Sequence, residues 1–98
     1  MDYTITWSPE ALDDVESIAA YIERDSSFYA KAVVTKIVDF SRSLVTLPKR
    51  GRVVPELEDE NIRELFAYSY RLIYQIRKDT ILIIAVVHSK RQLTPEAD

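Results

Sequence analysis

The chain opens with a strict alternation. Tyr3, Ile5 and Trp7 are large and apolar, with Thr4 and Thr6 between them, and this period of two predicts a half-buried strand over 3–7. The pattern stops at Ser8-Pro9-Glu10. Ser8 can cap a helix, Pro9 suits its first position, and Glu10, Asp13 and Asp14 put negative charge at the positive end of its dipole. Leu12, Val15, Ala19 and Ile22, widened by Ile18, then share one helical stripe, which predicts a helix to about Asp25. Asp25-Ser26-Ser27 interrupts it and supplies the next cap. A second helix is expected from about Phe28 to Leu44, with Val33, Ile37, Phe40 and Leu44 on one stripe and Val34 and Val38 on a shoulder beside it. A stripe that wide needs cover on more than one side, from the first helix, from a sheet, or from a partner protein.

Leu47 to Arg52 ends the helical half, and the only glycine, Gly51, is available there for a positive φ. Val53-Val54-Pro55 reads as extended chain, and Glu56 to Glu60 as an acidic loop. The period then returns to two. Ile62 to Phe66 is expected to form a short strand and Tyr70 to Arg77 a longer one, with Lys78-Asp79 as a hairpin tip. Ile81 to His88 is apolar on both faces, as a central strand is. Ser89 to Asp98 is a polar tail. The order βααβββ predicts a single α+β domain over 1–98, with a helical hairpin packed on one face of a mostly antiparallel four-stranded sheet. The other face is expected to stay partly open.

A turn at Lys78-Asp79 sets Arg71 opposite Val86, Ile73 opposite Ile84 and Gln75 opposite Leu82. His88 then shares a sheet face with Arg71, diagonally placed, while Tyr70, Leu72, Tyr74 and Ile76 point to the helices. A slip of one residue would separate Arg71 from His88. In this register Arg71, His88, Lys90 and Arg91 gather near one end of the open face, where guanidinium groups could grip phosphate or carboxylate and an imidazole could move protons. The more economical reading pairs Arg71 with a neighbouring acid, such as Glu64 on the preceding strand, and leaves His88 simply ending its strand.

Composition narrows the chemistry. With 98 residues, 47% hydrophobic and 30% charged, the chain suits one compact domain. It has no cysteine and a single histidine, which excludes disulfides, a thiol nucleophile, Cys-based zinc sites and multi-His metal sites. No phosphate-binding loop or metal-ligand spacing is present, so no cofactor and no metal are expected. The formal net charge is −3, which argues against a general nucleic-acid binder. The charge is uneven: residues 1–47 carry −4, residues 48–91 carry +3, and the tail −2. Tyr21, Tyr29, Tyr68, Tyr70 and Tyr74 suit half-buried packing better than base stacking. The longest apolar run, Ile81 to Val87, spans seven residues, far below the ~20 needed to cross a bilayer. The first residues lack a secretory pattern, so a cytoplasmic protein without membrane association is expected.

Several segments together resemble the RelE/ParE toxin superfamily. They are Trp7-Ser8-Pro9-Glu10-Ala11 running into Leu12-Asp13-Asp14, Ala19-Ala20-Tyr21-Ile22, Pro48 through Gly51-Arg52-Val53-Val54-Pro55-Glu56, Ile62-Arg63-Glu64-Leu65, Tyr70-Arg71-Leu72-Ile73-Tyr74, and Val87-His88 before Arg91. They fall in family order from Tyr3 to about Leu93. The resemblance implies the βααβββ fold and a toxin of a type II toxin–antitoxin pair, neutralised by direct contact with a cognate antitoxin in a hetero-oligomer. Val34, Val38 and Phe40 are the candidate antitoxin contacts. It also implies one of two targets. RelE-like members cut messenger RNA in the ribosome, for which Arg71, His88 and Arg91 would be the catalytic set; ParE-like members poison DNA gyrase without nuclease activity. Arg71 matches a catalytic-site arginine of the nucleases, but ParE-like chains share that motif. Where the nucleases place lysine on the preceding strand, this chain has Ile62 and Glu64, and it has no C-terminal tyrosine. Lys90 or Arg91 could stand for the later arginine. These departures favour a ParE-like gyrase inhibitor; a member that only binds its antitoxin is the third reading.

Overall fold

The structure, a computed structural model, describes residues 2–93. Strand β1 (Thr4–Trp7) leads into helix α1 (Pro9–Glu23), and helix α2 (Ser27–Ser43) follows after a short turn. Four strands complete the described chain: β2 (Arg52–Val53), β3 (Ile62–Ala67), β4 (Tyr70–Ile76) and β5 (Thr80–His88). They form one sheet in the order β1-β5-β4-β3-β2, with β1 parallel to β5 and every other pair antiparallel. The sheet therefore has five strands, where four were expected. The addition is the two-residue β2, which pairs Arg52 with Glu64 and Val53 with Arg63.

Local signals account for the helices. Ser8 Oγ accepts the Ala11 N–H at 3.0 Å with Pro9 behind it, and Ser26 Oγ accepts the Tyr29 N–H at 3.0 Å. Each cap satisfies a donor that a helix start leaves unpaired. The expected stripe of α2 is seen in Val33, Ile37 and Leu44, all fully buried, with Phe40 packed beside them. They meet Leu72 and Tyr74 of β4 and Ile81, Ile83 and Val86 of β5, on the sheet face that also carries Tyr70 and Ile76. Burying each such side chain contributes ~1.5–3 kcal/mol.

The second face is not bare. Val54, Ile73 and Val87 form a smaller buried cluster there, joined by Leu57, Ile62, Ile84, Ala85 and Leu93. The segment after β2 and the chain after β5 fold over this face, so the sheet is covered on both sides near its middle. Among the described residues, no helix is long and apolar enough to cross a membrane.

The hairpin between β4 and β5 turns at Lys78-Asp79, and near that tip the expected register holds, with Gln75 opposite Leu82. It then shifts. Tyr74 pairs with Ile83 but Ile73 with Ala85, leaving Ile84 as an extra residue on β5. Beyond this bulge Arg71 faces Val87, not Val86, and His88 faces Tyr70. Two polar groups from the N-terminal half anchor the irregularity: Ser8 Oγ donates to the Ile84 carbonyl at 2.9 Å, and the Val86 N–H donates to Asp14 Oδ2 at 3.0 Å.

Gly51 also departs from expectation, because its φ is not positive. Its lack of a side chain is what matters. A Cβ there would stand 2.5 Å from the Glu64 carbonyl oxygen and 2.7 Å from the Tyr74 hydroxyl. The space is taken because fully buried Tyr74 anchors the loop: its hydroxyl accepts the Gly51 N–H at 2.9 Å and donates to the Pro48 carbonyl at 2.8 Å. Gly51→Ala is expected to cost about 1–3 kcal/mol by overpacking, measured by urea unfolding; a wild-type midpoint would mean that the loop can move aside.

Candidate functional site

The site begins with pleat and register. Glu64 on β3 stands opposite Ile73, and Arg71 on β4 stands opposite Phe66, so Glu64 and Arg71 are diagonal neighbours on the face away from the helices. Arg52 of β2 lies directly opposite Glu64 on that same face. The chain after β2 then brings Glu56 across the sheet.

Arg71 is held from three directions. Its Nη1 donates to Glu64 Oε1 at 2.8 Å and to Glu56 Oε1 at 3.2 Å; its Nη2 donates to Glu56 Oε2 at 3.0 Å and to the Arg91 carbonyl at 2.6 Å. A guanidinium has five N–H donors, and four are committed here. Nε is buried with no partner among the described residues. The side chains are 4% exposed for Arg71, 0% for Glu64 and 12% for Glu56. Glu64 also accepts from Arg52 Nε at 2.6 Å, and the Arg52 guanidinium lies 5.2 Å from the centre of the Phe66 ring. Two carboxylates and two guanidinium groups thus neutralise one another on this face. The hydrogen bonds from Arg71 hold the Glu56 carboxyl down to about 2, against the opposing effect of burial. The same bonds raise the Arg71 pKa, led by the one to Glu56.

The sequence-predicted residues are not brought together. Arg71 is buried on the face away from the helices, whereas His88 stands on the helix side with its ring 5.6 Å from that of Tyr70, edge to face. The shared face expected for Arg71 and His88 is therefore corrected, because the bulge at Ile84 flips every residue after it. Lys90 and Arg91 follow β5 in an exposed turn, where the Lys90 N–H donates to His88 Nδ1 at 3.1 Å and Arg91 reaches Arg71 through its backbone carbonyl. The pairing of Arg71 with Glu64, the more economical expectation, is what the structure contains. Sequence reasoning missed Glu56, read only as part of an acidic loop, and Arg52. Arg52 falls in the segment that ends the helical half, and its only signal was the extended Val53-Val54-Pro55 that follows it.

Among the candidate antitoxin contacts, Val34 is half-buried in a groove between α1 and α2 with Ala19, Phe28 and Thr35. Val38 is also half-buried. Phe40 packs on the core, and the cations of Lys36 and Arg50 lie 5.4 Å and 4.9 Å from its ring centre. The tyrosines divide: Tyr74 is buried and Tyr70 half-buried, but Tyr21, Tyr29 and Tyr68 are exposed, contrary to the packing role expected for them. No group of His, Asp and Glu suited to holding a metal occurs among the described residues.

This architecture is shared by small bacterial and archaeal toxins. Similar solved structures include the chromosomal ParDE system of P. aeruginosa, at 19% identity and a TM-score of 0.72, covering 90% of this chain and 97% of that one. The archaeal RelE–RelB complex of Pyrococcus horikoshii matches at 18% and 0.67, covering 94% and 100%. A mutant of the E. coli toxin RelE in the free state matches at 17% and 0.65, covering 92% and 86%. No curated protein gives a match. Residues 5–93 match the family described as the ParE toxin of the type II toxin–antitoxin system parDE, and the chain belongs to that family.

Two predictions follow from the ion cluster. A carboxyl whose pKa is depressed in the folded state contributes stability above its unfolded value and loses it as the pH falls through the folded one. Stability should therefore decline as the pH drops from 4.5 toward 2, and Glu56→Gln should flatten that part of a pH-dependent thermal unfolding series. Arg71→Ala leaves Glu64 buried without its inner partner and is expected to cost ~3–5 kcal/mol. Equilibrium denaturation measures this, and an unchanged midpoint would show the cluster to be dispensable.

Proposed function

We infer that this toxin is a ParE-like inhibitor of DNA gyrase, neutralised by direct binding of a cognate antitoxin. The observation that carries the reading is the closed state of Arg71, with four donors committed to Glu56, Glu64 and the Arg91 carbonyl. Cleaving RNA requires a group to activate the 2′-hydroxyl, stabilisation of charge on the phosphate, and a proton for the leaving oxygen. The RelE-like alternative, a ribosome-dependent messenger-RNA endonuclease, would draw these from Arg71, His88 and Arg91. Here the first is neutralised by carboxylates and the second lies across the sheet. Inhibition through a protein–protein contact needs no such set. The net charge of −3 also opposes approach to ribosomal RNA.

Membership in a toxin–antitoxin family, and relatives solved with antitoxins, support an antitoxin partner in a hetero-oligomer. The groove beside Val34 suits the apolar face of an antitoxin helix, with Val38 and Phe40 farther along α2. A cytoplasmic location accords with this reading.

Purified toxin in stoichiometric excess should inhibit supercoiling by gyrase or accumulate cleaved DNA, leave a translation extract active, and lose its effect when antitoxin is added. Cuts in ribosome-bound messages that vanish in a folded Arg71→Lys variant would overturn this in favour of the nuclease. Silence in both assays would overturn it in favour of a member that only binds its antitoxin.

A further inference from the structure

The exposed tyrosines gather at one end of the domain, where the end of α1, the start of α2, the β3–β4 turn and the end of β5 meet. A recess of about 270 Å³ there is lined by Tyr21, Tyr29, Tyr70 and His88, with Asp25 and Ser69 among its polar groups. Tyr21 is 65% exposed. The Tyr29 ring is buttressed edge-on by Tyr68, with centres 5.5 Å apart, and Tyr70 by His88 at 5.6 Å. Tyr68 has a φ of 57°, a left-handed conformation that is uncommon for a bulky residue. The residue stays 52% exposed, with the Tyr29 ring as its aromatic contact. Burial raises the pKa of the Tyr70 hydroxyl, and the nearness of Tyr29 and Tyr21 raises it further.

Aromatic faces carry negative quadrupole charge and attract cations, the more so beside a carboxylate. The chain already uses this attraction: Arg24 lies 5.9 Å from the Tyr21 ring centre, without lining the recess. The surroundings favour positive charge as well. Helix α1 carries Glu10, Asp13, Asp14, Glu16 and Glu23 and no basic residue. The recess continues, across the shared walls Tyr21, Tyr70 and His88, into a groove that holds Asp14, Ser17 and Arg91. From Asp14 to the end of α1 at Glu23 is nine positions, ~13.5 Å of helix length, and Asp25 lies just beyond. Carboxylates therefore stand at both ends of the trench, with Arg91 the one cation in its wall among the described residues. Phosphates would be repelled along α1, which disfavours a nucleic-acid base as occupant of the ring-lined recess.

We propose that this recess is a cation-binding site that takes the lysine or arginine side chain of a basic peptide segment in a protein partner, with the segment laid along the acidic side of α1. The proposal does not depend on gyrase as the target. Its test is NMR titration of the full chain with three probes: a short Gly-Ser peptide carrying Arg-Lys-Arg, its counterpart carrying Glu-Gln-Glu, and a single-stranded RNA oligomer. The basic peptide alone should shift the ring resonances of Tyr21, Tyr29, Tyr70 and His88 saturably. Tyr21→Leu and Asp25→Asn change exposed side chains, so their folding should match wild type, and each should weaken binding roughly two- to fivefold. Shifts elsewhere only, no saturable shift, binding unaffected by both variants, or RNA occupying these rings would each overturn the proposal.

Discussion

One guanidinium group joins four separate stretches of chain. Arg71 on β4 reaches Glu64 on β3, Glu56 in the segment after β2, and the carbonyl of Arg91 beyond β5, while Glu56 also accepts the N–H of Leu93 at 3.1 Å. Because the group is almost fully desolvated, its charge must be answered within the protein, and removing one carboxylate would leave it only partly answered. The cover of the second sheet face depends on that demand. Val54, Leu57 and Leu93 lie over Ile73 and Val87, and the ion cluster adds direction to those apolar contacts.

The same cluster shapes what this face can do. A sheet surface with an exposed arginine offers a fork for phosphate; one whose arginine is closed by two carboxylates offers nearly neutral relief to whatever approaches. Outward charge remains at the rim of this face and beyond it. Arg52 at the rim, and Arg50 and Lys36 beyond it, are each placed against a phenylalanine ring, while α1 carries five acids and no basic residue. The overall sign of −3 therefore conceals an uneven distribution, with −4 over residues 1–47 and +3 over residues 48–91.

Much of this was legible in the chain. Ser8-Pro9 and Ser26 marked the helix starts because caps depend on local hydrogen bonds, and the alternation of Tyr70, Leu72, Tyr74 and Ile76 identified the buried face of β4 because pleating has a fixed period. The register of the last hairpin was right as far as Ile83 and wrong beyond it. A strand apolar on both faces hides a bulge: inserting Ile84 moves one hydrophobic residue for another and leaves no break in the pattern. The residues that hold the bulge, Ser8 and Asp14, are more than seventy positions away, and their capping and dipole roles already explained their presence. Glu56 was hidden for a related reason, since a carboxylate in an acidic loop gives no sign of folding inward.

The bond from the Val86 N–H to Asp14 has a consequence for the free protein. Strand β1 accompanies β5 only as far as Ile83, so the next stretch of β5 would present an open edge to any passing chain. An edge that ends in unpaired donors invites strand-to-strand association, the usual start of aggregation. Here a helix side chain occupies one of those donors and sets a negative charge beside it. Asp14 thus closes one donor of that edge and places a carboxylate where another strand would have to pair.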